Sequence, residues 1–339
     1  MLSKYKQTRN ALIVFLITVL FSSCAFAFSF NSILDIFKTK KVEKVRVVRK
    51  GGGKNEVPPV TIKVGTYVLH VGRYDLQSAT YHMDFYLIFK CTPNCRNLNF
   101  EVMNAVNAES HLVASDKNSM IYRVQADLSK ADNLRNYPFD SHALDVVVEN
   151  RQMTNDKMVF EVDPTTTALD SDLEVVGFHL LPHWIATVSN HYYQVFQQTY
   201  SSYKFSIHIA RPFLAGFLKG ILPALIIISC NFLALFMKID HISQRLGVST
   251  STLIAAEVFH LNLTASLPPL GYTTYADMFM LINYIFLFTV LIEVVITTYC
   301  IETKHHALAA KINNMCAWLI PSIWVILQAI NWLIFNPTG

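Results

Sequence analysis

Gly247, Ser251, Ile254, Val258, Leu261 and Ala265 recur at helical spacing within the stretch 243–267, SQRLGVSTSTLIAAEVFHLNLTASL. On a helix they fall on one stripe, small and hydroxylic at its start and aliphatic further on. A helix facing only lipid has no need of such a stripe. A helix lining a water-filled path does, and the aliphatic part can close that path by dewetting. Glu257 and His260 lie three residues apart in the same stretch, off the centre of the stripe, and are helix neighbours. Ionisable groups inside a membrane are costly and usually functional. The plainer alternative is a polar hydrogen bond between adjacent helices.

Two other kinds of chemistry fall away. The chain has no G-x-S-x-G, H-E-x-x-H or P-loop pattern, so neither enzymatic activity nor a cofactor is implied, and nothing points to nucleic acid. Cys91 and Cys95 bracket Thr92-Pro93-Asn94. The preferred reading is a disulfide across a tight turn in an oxidising compartment. A metal site is disfavoured, with two thiols and no partner motif. Cys230, Cys300 and Cys316 read as packing residues inside spans.

The elements that must carry these residues are membrane helices. The chain has 339 residues, 52% of them hydrophobic, and a formal net charge of +4. Apolar runs at about 212–237, 275–300 and 315–335 flank the 243–266 segment, and each approaches or exceeds the roughly 20 residues a spanning helix needs. Pro223 and Pro321 lie inside two of them, as membrane helices tolerate. Residues 1–27 read as a secretory signal peptide: Lys4, Lys6 and Arg9 precede an apolar run, and Ala25-Phe26-Ala27 fits a cleavage site. An uncleaved anchor, or lipidation at Cys24, is the alternative. Residues 28–56 read as a basic, flexible arm with Gly51-Gly52-Gly53, either solvated or touching anionic membrane lipid.

From 57 to 210 the pattern has period two. The runs 80–89, 120–128, 142–149, 157–162, 173–180 and 202–210 are short and rich in β-branched and aromatic residues, with turn-like stretches between them. They predict a β-sandwich of about 150 residues. The expected architecture is therefore β + α: an extracellular or periplasmic immunoglobulin-like sandwich, then a four-helix transmembrane bundle over 211–339. Lys238 and Arg245 in one link, and Lys304 and Lys311 in another, set those links on the cytoplasmic side. That puts the N-terminal domain outside a plasma (inner) membrane that the chain crosses several times. Neither inner link can house an output domain, so an outer binding domain must signal through the spans, most simply by ion flow.

These residues carry a family resemblance over roughly 57–335. The order Tyr137-Pro138-Phe139-Asp140, Arg211, Pro223, Ser251-Thr252-Leu253-Ile254-Ala255, Leu267-Pro268, Tyr272 and Ile292-Glu293-Val294 resembles that of the pentameric ligand-gated ion channels, or Cys-loop receptor superfamily. No cysteine lies between Cys95 and Cys230, as in the prokaryotic branch that lacks the Cys-loop disulfide. The resemblance implies a homopentamer passing small ions, with cations favoured, gated by an unidentified small ligand or by protons. It implies that Asp140 and Arg211 pair where the domains join, with Asp75 as third member, and that Pro138, Phe139, Pro268 and Tyr272 share in coupling. A pair that only stabilises the junction is the alternative. His191, Tyr192, Tyr193, Phe196 and Tyr200 match the capping loop of the ligand site. Clustered aromatics there can hold an ammonium group or simply pack the strands. Glu257 and His260 gain a proton-sensing role from proton-gated bacterial members. Arg245 either favours anions or points away from the lumen. A transporter, or a non-conducting sensor acting through partner proteins, is the competing function.

Overall fold

A computed structural model describes residues 59–92, 95 and 98–335. The signal peptide and the basic arm expected at 1–27 and 28–56 lie outside the described residues. The chain forms two compact units: 59–217 with 264–273, and 218–263 with 274–335.

The first unit is two sheets. One carries the order β4-β5-β2-β1-β7, from β1 (Val60–Val71), β2 (Thr80–Cys91), β4 (Ala105–Ser115), β5 (Ser119–Ser129) and β7 (Met158–Val162), with β8 (Ala168–Leu169) also paired to β1. The other runs β3-β6-β10-β9, from β3 (Phe100–Val102), β6 (Ser141–Asn150), β9 (His179–Tyr193) and β10 (Gln198–Ala210). Alternate residues of both sheets turn inward. Val64, Val68, Phe85, Leu87, Val146, Val148, Tyr203, Phe205 and Ile207 meet in one buried core. Tyr203 and Thr66 share a hydrogen bond of 3.0 Å across it, so the inward tyrosine hydroxyl is satisfied.

Four of the period-two runs fall on β2, β5, β6 and β10, and a fifth on β7. The sixth, 173–180, does not form a strand. Val175 and Phe178 make an isolated bridge around Gly177 at φ +85°, and β9 begins only at His179. Five further strands, β1, β3, β4, β8 and all but the first two residues of β9, stand outside the six runs.

The second unit is helical. Three helices are long and apolar enough to cross a membrane: α1 (Phe213–Ala234), α3 (Tyr275–Glu302) and α4 (His306–Phe335). Between them lies α2 (Ile242–Thr264), 23 residues long but too polar to count with those three. A π-turn interrupts α1 at Phe217–Ile221, just before Pro223. Such a turn frees backbone groups where a proline ring must fit. A capping box of Thr274 and Asp277 starts α3: Asp277 N donates to Thr274 Oγ1 at 3.2 Å, and Thr274 N donates to Asp277 Oδ2 at 2.8 Å.

Candidate functional site

The most concentrated chemistry in the sheet-rich unit is a line of charges near the end of β10. Arg211 follows the strand directly, and its Nε and Nη2 donate to the two oxygens of Asp140 at 2.8 and 3.2 Å. Asp140 precedes β6, and its other neighbour is His142, whose Nε2 lies 2.5 Å away. The opposite ring nitrogen, Nδ1, is 3.4 Å from Asp132. Asp132 accepts a 2.6 Å bond from Tyr74 and lies 3.6 Å from Lys130. Lys130 and Lys204 both reach Asp145, at 2.9 and 2.8 Å. The charges therefore alternate in sign along Lys204, Asp145, Lys130, Asp132, His142, Asp140 and Arg211 when His142 is protonated.

This line fixes protonation states. Burial pushes the Asp140 carboxyl up, but bonds from His142 and Arg211 outweigh it and hold the pKa at about 2. Burial alone would lower the His142 pKa, yet Asp132 and Asp140 beside it raise it. The Arg211 guanidinium also stacks against the rings of Phe178 and Tyr137, 4.9 and 5.3 Å from their centroids. Its position is over-determined by a fork and two aromatic faces.

Asp75 is not the third member of this cluster. It is exposed and accepts bonds from Gln77 N and Ser78 Oγ at 2.9 and 2.8 Å, closing its own hairpin. An aspartate two residues before a turn amide satisfies that amide locally, and His142 occupies the partner position instead. Pro138 and Phe139 follow the cis Tyr137–Pro138 bond. Phe139 stacks on Phe213 with centroids 5.0 Å apart. A Cβ on Gly216 would come 2.5 Å from the Pro138 carbonyl, so glycine alone permits this approach. Tyr272 lies in the segment Thr264–Thr273, which joins α2 to α3 yet groups with the sheet-rich unit. Its hydroxyl accepts a 3.0 Å bond from Leu134 N, and Arg135 lies over its ring at 5.5 Å. Pro268 belongs to the same segment.

A second cluster lies at the far end of the same sheet. Glu149 of β6 is buried and accepts bonds from Tyr193 Oη at 2.9 Å and His191 Nδ1 at 3.0 Å. Both line a cavity of about 380 Å³ with Met103, Asn104 and Ser202. Tyr193 gathers the aromatics: His191, Tyr200 and Phe196 have ring centroids at 4.2, 5.7 and 6.2 Å from it. Burial and the bond to Glu149 push its hydroxyl up to about 12. Tyr192 is half exposed and bonds Gln197 instead. Sequence reasoning missed Glu149. Its signal was a charge inside the apolar run of β6.

In the helical unit, α2 has two distinct faces. Arg245, Ser249, Thr252, Ala256 and Leu263 are buried. Gly247, Ser251, Ile254, Val258 and Leu261 are all exposed, Ile254 at 62% and Leu261 at 66%, whereas Ala265, expected on the same stripe, lies just past the end of α2 in the turn that follows Thr264. At about 100° per residue the two sets lie on opposite sides of the helix. Arg245 donates to Ala234 O at 3.0 Å, Thr297 at 3.2 Å, and Glu293 and Asn313 at 2.7 Å each. Its charge therefore points away from the exposed stripe and ties α2 to α1, α3 and α4. His260 bonds Tyr284 at 3.1 Å and Asp277 at 3.3 Å, both on α3, while Glu257 is exposed. Cys91 and Cys95 are joined as a disulfide.

The fold defines a class: a membrane protein with a sheet-rich domain ahead of apolar helices. No protein-family model matches the chain. It is similar to a proton-gated ion channel of Gloeobacter violaceus, 24% identical over 70% of this chain and 66% of that protein. It is also similar to pH-sensitive chloride channel 2 of Anopheles gambiae, 21% identical over 63% of this chain and 35% of that protein. A gamma-aminobutyric acid receptor subunit beta of Caenorhabditis elegans is 22% identical over 52% of this chain and 32% of that protein. The match thus spans less than two thirds of each relative. All three relatives are ion channels or receptor subunits rather than enzymes, and the similarity agrees with the resemblance to the pentameric ligand-gated ion channels.

Proposed function

We propose that this chain is one subunit of a ligand- or proton-gated ion channel, a homopentamer in the plasma membrane with its sheet-rich domain outside and four spans per subunit. The observation that carries the reading is the two-faced α2. Its buried face is tied to the other helices through Arg245, and its opposite face carries a line of small, hydroxylic and then aliphatic residues left uncovered in the single chain. Five copies around an axis would bring those lines together as the pore. Ile254, Val258 and Leu261 would form apolar rings that close it, because water cannot keep its hydrogen bonds in a narrow apolar constriction.

The line of charges ending at Arg211 supports a coupling role. Arg211 is followed at once by α1, and Tyr272 lies in the segment that joins α2 to α3. Movement of the sheet-rich unit would pull on the start of α1 and on the end of α2, the proposed pore helix. The Glu149 cavity, with its carboxylate and aromatic rings, suits a small organic ammonium ligand. His260, set between Asp277 and Tyr284, suits a proton-sensing contact between α2 and α3.

The test is current. Purified protein in planar bilayers should conduct when pH is stepped or small amines are applied. Silence from a correctly assembled pentamer under all these stimuli would favour a non-conducting sensor or a transporter.

A further inference from the structure

Apart from Glu302 at the end of α3, helices α1 to α3 carry five charged residues: Lys219, Arg245, Glu257, Asp277 and Glu293. Three have partners within the chain. Arg245 binds Glu293, and Asp277 binds Thr274 and His260. Lys219 and Glu257 are the two exposed ones, and the ion pairs of the described residues include neither. One is a cation and the other an anion. An uncompensated charge at membrane depth is expensive, so each calls for a counter-charge.

Their depths match. Arg245 Nε bonds the Ala234 carbonyl, which sets that point of α2 level with the end of α1. From this level Glu257 is about 18 Å along α2 and Lys219 about 22 Å along α1, at 1.5 Å per residue. The wide π-turn holding Lys219 shortens the second figure. Long side chains span the remaining difference.

Their orientations match as well. Glu257 flanks the exposed stripe of α2, about 80° from its centre line, so it faces sideways rather than down the proposed axis. Lys219 shares the uncovered side of α1 with Leu218, Ile226 and Leu233. Within one chain the two do not come within salt-bridge distance.

We propose that Lys219 of one subunit pairs with Glu257 of the next subunit, a second copy of this chain. A contact made by two different patches of the same subunit is head-to-tail, and repetition closes it into a ring with one pair per interface. This rests on the ring assembly proposed above and adds the residues that set the angle between neighbours. In a water-poor interface such a pair is worth most where one partner cannot be lost without stranding the other.

The experiment has two arms, on full-length protein in detergent, with native mass measured first on the wild type. In the first arm, K219E and E257K are made singly and together. Each single change should shift the native mass from ring to smaller species or lower the melting temperature of the ring, and the double exchange should restore both. In the second arm, two differently tagged chains lacking Cys230, Cys300 and Cys316 are co-expressed, one with K219C and the other with E257C, and treated with a short bis-maleimide. A cross-linked dimer carrying both tags is expected. An intact ring with no such dimer, or a double exchange no better than its parents, overturns the pair while leaving the ring standing. A wild type that is monomeric by native mass overturns the ring and the pair together.

Discussion

His142 is the member of the charge line whose ordinary pKa lies closest to neutral, and it sits between Asp132 and Asp140. Its pKa is raised by Asp132 and Asp140 against the opposing effect of burial. A histidine raised on folding contributes stability that is fully present below its unfolded value near 6.5 and is lost as pH climbs through the folded value. The wild type should therefore melt at a higher temperature near pH 6 than near pH 9. His142→Gln, which keeps a donor but not the charge, should flatten that difference, as thermal melts across the range would show. An unchanged slope would place the pH dependence elsewhere. Asp140 works with the opposite sign. Held at about 2, it contributes stability above its unfolded value that disappears only as pH falls through about 2, so it is constant at physiological pH. Asp140→Asn leaves the half-buried Arg211 without its carboxylate and should cost about 2 kcal/mol in unfolding free energy, below the range for a fully buried pair because Arg211 keeps some contact with water. If it instead melts like the wild type but responds to no stimulus, the pair is a coupling device with little structural weight. Asp140 and Arg211 were legible from the motif around Tyr137-Pro138-Phe139 and from the arginine ending the last strand. His142 and Asp132 were not, since the sequence does not reveal which nitrogen meets which carboxylate across a folded loop. Asp75 misled because an acidic residue in a hairpin looks the same whether it caps its own turn or reaches across the domain.

At the scale of elements, the helices were read most closely and the strands least. α1, α3 and α4 announce themselves by hydropathy, and α2 by its stripe. Yet α4 begins at His306, nine residues before the expected 315, because its first turns are polar and amphipathic rather than greasy. β4 escaped notice because nearly all of it is exposed on both faces, so it has no alternation to detect. The 173–180 run shows the converse: apolar residues pinned in a turn by Gly177. The stripe of α2 makes the sharpest element-level prediction. Ile254 sits at the centre of its aliphatic part, so Ile254→Ser should hydrate a closed pore. Resting leak, or activation by weaker stimuli, should appear in oocyte or bilayer recordings, with surface expression unchanged. Had Ile254 packed against other helices, the same change would lower expression and yield no leak. Its 62% exposure in the single chain favours the first outcome.

At the scale of the whole molecule, the proposed ring of five copies would choose ions by the charges it brings to its axis. Arg245 is the obvious candidate from sequence, but it is 1% exposed and occupied by Glu293, Thr297, Asn313 and the Ala234 carbonyl. It leaves no positive ring on the stripe. The start of α2 exposes Ser243 and Gln244, both neutral; just before them His241 and Asp240 are exposed, with the exposed Lys238 two residues further back along the chain. A ring of five Asp240 carboxylates at the inner mouth would concentrate cations there by its summed field. Cation permeation is therefore expected, though weakly selective, because no charge lies in the narrow part itself. Under a salt gradient the reversal potential should lie on the cation side of zero. Gln244→Glu would add an acidic ring one helical step into the pore and should move it closer to the cation equilibrium potential. Asp240→Asn should move it toward zero, and Gln244→Lys across it. Raising ionic strength should shrink the Asp240 effect more than the Gln244 effect, since a mouth charge is screened more readily than one inside a confined path. A wild-type reversal potential on the anion side, unmoved by Asp240→Asn, would remove both the cation assignment and the role of the mouth ring.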